Sequence, residues 1–187
     1  MKKEFINCPS CFEEEEMYGF DWISNSDGFY CIFAAVNKYG HMYATVKEKN
    51  ALVINFPSAD VYMKCHATIY NNEYEDDEIQ MAGLTAEKAS MVDAPRIEEC
   101  FLNLECEYVW EKELTPDSHH VVMCVKVVNV VMDEEYYNEQ KKGRYGETGY
   151  LYNIHSPRNP ETGEEENTYV GIIKKHATYD ELSDKYE

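Results

Sequence analysis

The apolar positions fall into a few short patterns. Residues 29–36, Phe-Tyr-Cys-Ile-Phe-Ala-Ala-Val, run apolar and aromatic between Ser26-Asp27-Gly28 and Asn37, which predicts a buried strand. Residues 40–49 are rich in Lys and Glu, with Tyr43 and Val46 on one face, and predict a short helix. Ala51 to Phe56 predicts a second strand, stopped by Pro57. Val61, Tyr62, Cys65 and Ile69 then recur at helical spacing, which predicts a helix capped by Ser58 or Asp60. Residues 71–77 are acidic and polar, a loop, and Ile79 to Leu84 predicts a helical turn before a loop around Ala94-Pro95.

From Phe101 to Glu111 the side chains nearly alternate. Leu102, Leu104, Cys106, Tyr108 and Trp110 are expected inward, with Asn103, Glu105, Glu107 and Glu111 outward, as in a half-buried antiparallel strand. Thr115-Pro116-Asp117-Ser118 makes a turn, and the β-branched run from Val121 to Met132 completes a hairpin. Beyond Asp133 the chain is polar and tyrosine-rich, with Gly143, Gly146, Gly149, Pro157 and Pro160, and predicts an irregular tail wrapping the body, with a strand from Tyr169 to Ile173. Many strands, few short helices and no β-α-β alternation predict a barrel with helical decoration.

Composition narrows the function classes. The 187 residues suit one domain of ordinary size. Residues 1–21 carry Glu13 to Glu16, four like charges in a row, and form a segment of unassigned structure. The main domain is expected over 22–187, with the polar tail from about 134. Against 36 acidic residues stand 17 Lys and Arg, a formal charge of −19, which disfavours nucleic acid and anionic membrane surfaces. No apolar run approaches the roughly 18 residues of a membrane helix, and the first residues do not form a signal peptide, so the protein is expected in the cytoplasm. Seven scattered cysteines, an odd number, fit reduced thiols.

Local chemical motifs are sparse. Cys8-Pro-Ser-Cys11 has the spacing of a redox dithiol or half a zinc site, but no second ligand pair follows and no β-α-β setting frames it. His119-His120, adjacent at a hairpin mouth, point to opposite faces of a strand and fit surface histidines. The sequence has no G-x-x-x-x-G-K-[ST] or G-x-G-x-x-G phosphate loop and no G-x-S-x-G elbow.

Longer blocks carry more. Ala51-Leu52-Val53-Ile54-Asn55-Phe56-Pro57-Ser58-Ala59-Asp60 resembles a characteristic segment of the flavin reductase-like family, the flavoredoxin branch in particular. The resemblance continues through Ala82 to Ala89, Asp93-Ala94-Pro95-Arg96-Ile97-Glu98-Glu99-Cys100, Leu102 to Glu107, and Val131 to Glu135. It covers about residues 29–135. The resemblance implies a Greek-key split β-barrel, the FMN-binding split barrel, forming a homodimer with FMN near the subunit interface. Members reduce flavin with NADH or NADPH as substrate, or exchange electrons with a redox partner protein. The hydride chemistry is the cofactor's, so no catalytic side chain is sought and no metal is expected.

Three departures bear on that expectation. Where family members carry an Arg-aromatic-Ser/Thr motif opening a helix that holds the FMN phosphate, this chain has Gly40, His41 and Met42. Trp22 marks the end of a family stretch facing the flavin, but the residues before it lack the motif, which predicts an altered or missing N-terminal hairpin. Residues 72–79 replace basic groups of the family with acids. The resemblance thus implies a cofactor site made of Trp22, Asn37, Lys38, Gly40, His41 and Met42, with Lys38 as a point charge and the main-chain amides of 40–42 as donors. Two functions follow as alternatives: an NAD(P)H-dependent flavin reductase-like oxidoreductase, or a divergent member without tight FMN binding that serves as a non-catalytic ligand-binding or interaction protein.

Overall fold

The computed structural model describes residues 2–5, 20–25, 28–68, 76–136, 150–155, 162 and 169–173. In chain order the elements are β1 (Lys2–Phe5), β2 (Phe20–Asn25), β3 (Gly28–Asn37), α1 (His41–Lys49), β4 (Ala51–Phe56), α2 (Tyr62–Ala67) and α3 (Glu78–Met81). There follow β5 (Ala86–Lys88), β6 (Pro95–Ile97), β7 (Leu102–Glu113), β8 (His120–Asp133), a 3-10 turn at Glu134–Tyr136, β9 (Tyr150–His155) and β10 (Tyr169–Ile173).

The main sheet is antiparallel, ordered β2-β3-β8-β7-β4, and β8 is its spine. One edge of β8 pairs with β7 from Val121 to Met132. The other is shared by β3, opposite His120 to Val127, and β1, opposite Val130 to Asp133. β1 and β2 therefore join different strands instead of pairing with each other. Residues 6–19, with Cys8, Cys11 and the glutamate run, lie outside the described residues.

Leu104, Met123 and Val125 are fully buried at the centre, with Cys31, Val36, Leu52, Cys106 and Val121 around them. α1 closes one flank: Val46 enters this core, with Tyr43 half-buried beside it. The helix stops at Asn50, whose left-handed φ of 56° returns its amide to the Val46 carbonyl at 2.8 Å. Lys47 and Lys49 complement the negative end of the helix dipole.

Up to Glu105, three expectations need correction. Neither Ser58 nor Asp60 caps α2; the Ser58 hydroxyl donates to Asp60 at 2.6 Å, while the Ser58 carbonyl accepts the Val61 and Tyr62 amides. The loop around Ala94-Pro95 is the start of β6, which pairs with β5 in a ladder too short to leave a periodic signal. That ladder accounts for the third. Asn103 and Glu105, expected on the solvent face of β7, are both fully buried. Asn103 Nδ2 donates to Asn55 Oδ1 at 2.8 Å, and the same oxygen accepts the Ile97 amide at 3.0 Å. The Glu105 carboxylate accepts from the Ser90 and Met91 amides at 3.1 and 2.7 Å and from Arg96 at 3.3 Å.

Further along β7, register shifts between Glu105 and Cys106 and between Tyr108 and Trp110 exchange the faces of the strand. Trp110, expected inward, is therefore 43% exposed, and Glu111, expected outward, is half-buried against α1. In the tail, β10 falls where expected and pairs with β9, a strand the sequence pattern did not announce.

Candidate functional site

The turn from β3 into α1 is built by Asn37. Its side-chain oxygen accepts the Tyr39 amide at 3.0 Å and its carbonyl accepts the Gly40 amide at 3.2 Å, a local closure that Asn favours. The Lys38 amide is held by the His119 carbonyl at 3.0 Å, which ties the turn to the mouth of the β7–β8 hairpin. Gly40 stands at the N-cap in extended conformation and contributes no side-chain cap, and the first turn of α1 contains no acid. Helix geometry leaves the Met42 and Tyr43 amides without intrahelical acceptors, so they face outward with the positive end of the dipole. Such a helix start suits an anion.

The side chains around it carry charges of both signs. Lys38 is paired with Glu113, and that hydrogen bond holds its ammonium above the ordinary range. His41 Nδ1 stands 2.7 Å from Glu78 Oε1 of α3. The Tyr43 hydroxyl donates to Glu111 at 2.8 Å, which pushes the phenol up, and Lys47 lies 3.4 Å from the same carboxylate. Met42 is exposed, and exposed Tyr39 meets the edge of His119 at 5.3 Å between ring centres. α3 thus brings Glu78 to the helix start.

The structure brings Asn37, Lys38, Gly40, His41 and Met42 together at one turn. Trp22 is placed elsewhere along β3: its backbone pairs with Cys31, six positions before Asn37, roughly 20 Å away at the rise of a strand. Sequence reasoning did not assign Glu78 or Glu113 to the site. The run of acids from Glu73 to Glu78 was the signal for the first, and nothing local announced the second. Among the described residues no cluster of three or more His, Cys, Asp or Glu side chains is arranged to hold a metal, and no helix is long and apolar enough to cross a membrane.

Residues 28–152 match the flavin reductase like domain, and the chain belongs to that family. Its fold is similar to nitrilotriacetate monooxygenase component B from Bacillus cereus, with a TM-score of 0.67 and 15% identity over 86% of this chain and 76% of that one. It is likewise similar to flavoredoxin from Methanosarcina acetivorans, with a TM-score of 0.63 and 18% identity over 89% and 80%. A split-barrel-domain protein from Shewanella frigidimarina gives 0.62 and 15% over 86% and 75%, and the fold class is that split barrel. An uncharacterised protein of Aquifex aeolicus is 30% identical over 58% of this chain, which spans 57% of that relative's length.

The side chains at the α1 start do not fit a clamped phosphate dianion. Among the described residues there is no guanidinium at this turn and no hydroxyl in the first two positions of the helix, and Lys38 and His41 each meet a carboxylate. The main-chain amides do fit one face of an anion. The disagreement concerns the strength of the grip on a flavin's phosphate, not the presence of a helix start to receive it.

Proposed function

We propose that the protein is a flavin-dependent oxidoreductase of the flavin reductase type that handles its flavin as an exchangeable ligand. FMN is the flavin the family resemblance implies, with NAD(P)H or a redox partner protein as the source of electrons. A homodimer in the cytoplasm is the setting proposed for it. The observation that carries this reading is the uncapped amino end of α1, with the Met42 and Tyr43 amides turned outward beside β3. A flavin ring there would supply two-electron hydride chemistry. This chain's own residues would orient the tail of the ligand, through the α1 amides and the Asn37 turn. Titration of FMN and riboflavin into the purified protein, followed by flavin fluorescence, tests the reading, and no response to either at high micromolar concentration overturns it.

A second reading is favoured by one observation: Glu113 pairs with Lys38 and Glu78 meets His41, which puts two carboxylates beside the helix start. On that reading the protein is a divergent family member that has lost tight flavin binding and acts by ligand binding or protein interaction. Absence of flavin-dependent NAD(P)H oxidation, combined with absence of flavin binding, selects it.

A further inference from the structure

Away from the α1 start, two thiols meet in a small apolar cluster of their own. Cys65 lies on α2 and Cys100 just before β7, and their sulfurs are 4.0 Å apart across a sequence separation of 35. Leu84, Ile97 and Cys100 form the buried centre of the cluster, with Val61, Cys65, Ile79 and Ala82 packed on it. Cys100 is fully buried, whereas Cys65 is half-buried. All five described cysteines are unbridged thiols. The other three differ in kind: Cys31, Cys106 and Cys124 are buried in the main sheet, and burial pushes each of them up, Cys31 to about 12.

We infer that Cys65 and Cys100 are a two-electron redox pair that closes reversibly to a disulfide, with Cys65 as the attacking sulfur and Cys100 as the resolving one. A disulfide needs its sulfurs at about 2.05 Å, so they must approach by some 2 Å. α2 is a six-residue helix with no buried residue and no side-chain cap, and the approach is assigned to it. The hydrogen bond shared with Cys100 lowers the Cys65 thiol below its ordinary value, which favours the nucleophilic thiolate.

With a peroxide as oxidant, the Cys65 thiolate attacks one peroxide oxygen and the O–O bond breaks. Hydroxide leaves and takes up a proton as water, and the sulfur becomes a sulfenic acid. The Cys100 sulfur then attacks Cys65, the S–O bond breaks, and a second water leaves with the Cys100 proton. One dithiol and one hydrogen peroxide yield one disulfide and two waters, and a dithiol reductant reverses the bond by exchange. Ile79 of the same cluster is the chain neighbour of Glu78, so the state of the pair bears on the segment that holds His41.

The test is peptide mapping of the full chain without reduction, after stoichiometric hydrogen peroxide and alkylation of remaining thiols, in a Cys8→Ser, Cys11→Ser background so that the N-terminal pair does not compete. A Cys65–Cys100 linked peptide that disappears with dithiothreitol is expected, with Cys65 lost to alkylation about tenfold faster than Cys31, Cys106 or Cys124. In Cys100→Ala the sulfenic acid at Cys65 is expected to persist and be captured by dimedone. Both residues remaining alkylatable in the background protein overturns the inference, as does a link from either to another cysteine. Because the mapping needs no substitution at 65 or 100, a folding failure of Cys100→Ala leaves it decisive.

Discussion

His41 and Glu78 join the first turn of α1 to α3, 37 residues further along the chain, through a 2.7 Å contact. The contact puts a carboxylate beside the helix start that a phosphate would approach. Both side chains are about a third exposed, so the pair is worth under about 1 kcal/mol to stability. Its larger consequence is for ligand charge. Glu78→Gln is expected to tighten FMN about three- to fivefold, to leave riboflavin unchanged, and to do so less at high salt. Parallel titrations of the two flavins at low and high ionic strength check this, and equal gains for both flavins would contradict it.

Restoring the missing clamp is the complementary change. Gly40 has an extended backbone, and a Cβ there would meet only the Asn37 carbonyl oxygen at 3.5 Å, an ordinary contact. The double change Gly40→Arg, Met42→Thr is therefore expected to fold and to raise FMN affinity about tenfold relative to riboflavin. Isothermal titration with both flavins measures it. No change in the ratio would place the phosphate elsewhere.

Glu105 is the most demanding buried charge of the described residues. It accepts from Arg96 and from two main-chain amides, and Arg96 also reaches Glu87 at 3.3 Å. Glu105→Leu leaves those donors buried without it and is expected to cost about 3–5 kcal/mol in chemical denaturation. The double variant with Arg96→Met is expected to be less destabilised than the sum of the two single changes. Strict additivity would show that the two do not act as a unit.

Asn129 presents the opposite case. It is fully buried on β8, and neither its amide nitrogen nor its oxygen has a hydrogen-bond partner among the described residues. An unpaired buried amide costs stability, so Asn129→Leu is expected to leave the protein as stable or to add about 1–2 kcal/mol. A clear loss in thermal denaturation would show that the amide has a partner in solution.

These residues also mark where sequence pattern stops being informative. The apolar run at 29–36, the strand at 51–56, the hairpin of 101–132 and the helix at 40–49 were legible, because each element is long enough to show its period or is bounded by turn residues. Asn103 and Glu105 were misread because polarity signals exposure only when nothing covers the face, and the three-residue strands that cover it have no period to detect. Trp110 and Glu111 changed faces because a bulge shifts the period by one, which alternation alone does not reveal. At the start of α1, Lys38 and His41 were singled out as candidates by the family spacing. Their acidic partners were not, since Glu113 and Glu78 arrive from 75 and 37 residues away and only the folded chain pairs them.

The thiols give a pH prediction. The hydrogen bond with Cys100 lowers Cys65 below 9.0, and burial raises Cys31 to about 12. A lowered thiol is thiolate at lower pH, so iodoacetamide labelling of Cys65 in the fully reduced protein is expected to reach half its maximal rate below pH 9.0, while Cys31 stays unlabelled there. Site-resolved labelling against pH reads both, and a Cys65 midpoint above 9.0 would remove the hydrogen bond as its cause.

The most direct measurement is a side-by-side titration of the unaltered protein with riboflavin and FMN, followed by an absorption spectrum after desalting. The account predicts that both flavins bind, that their affinities agree within about tenfold, and that little flavin survives desalting, because main-chain amides hold the tail without a side-chain clamp. A flavin band retained through desalting, with FMN bound over a hundredfold tighter than riboflavin, would contradict it, and so would the failure of both to bind.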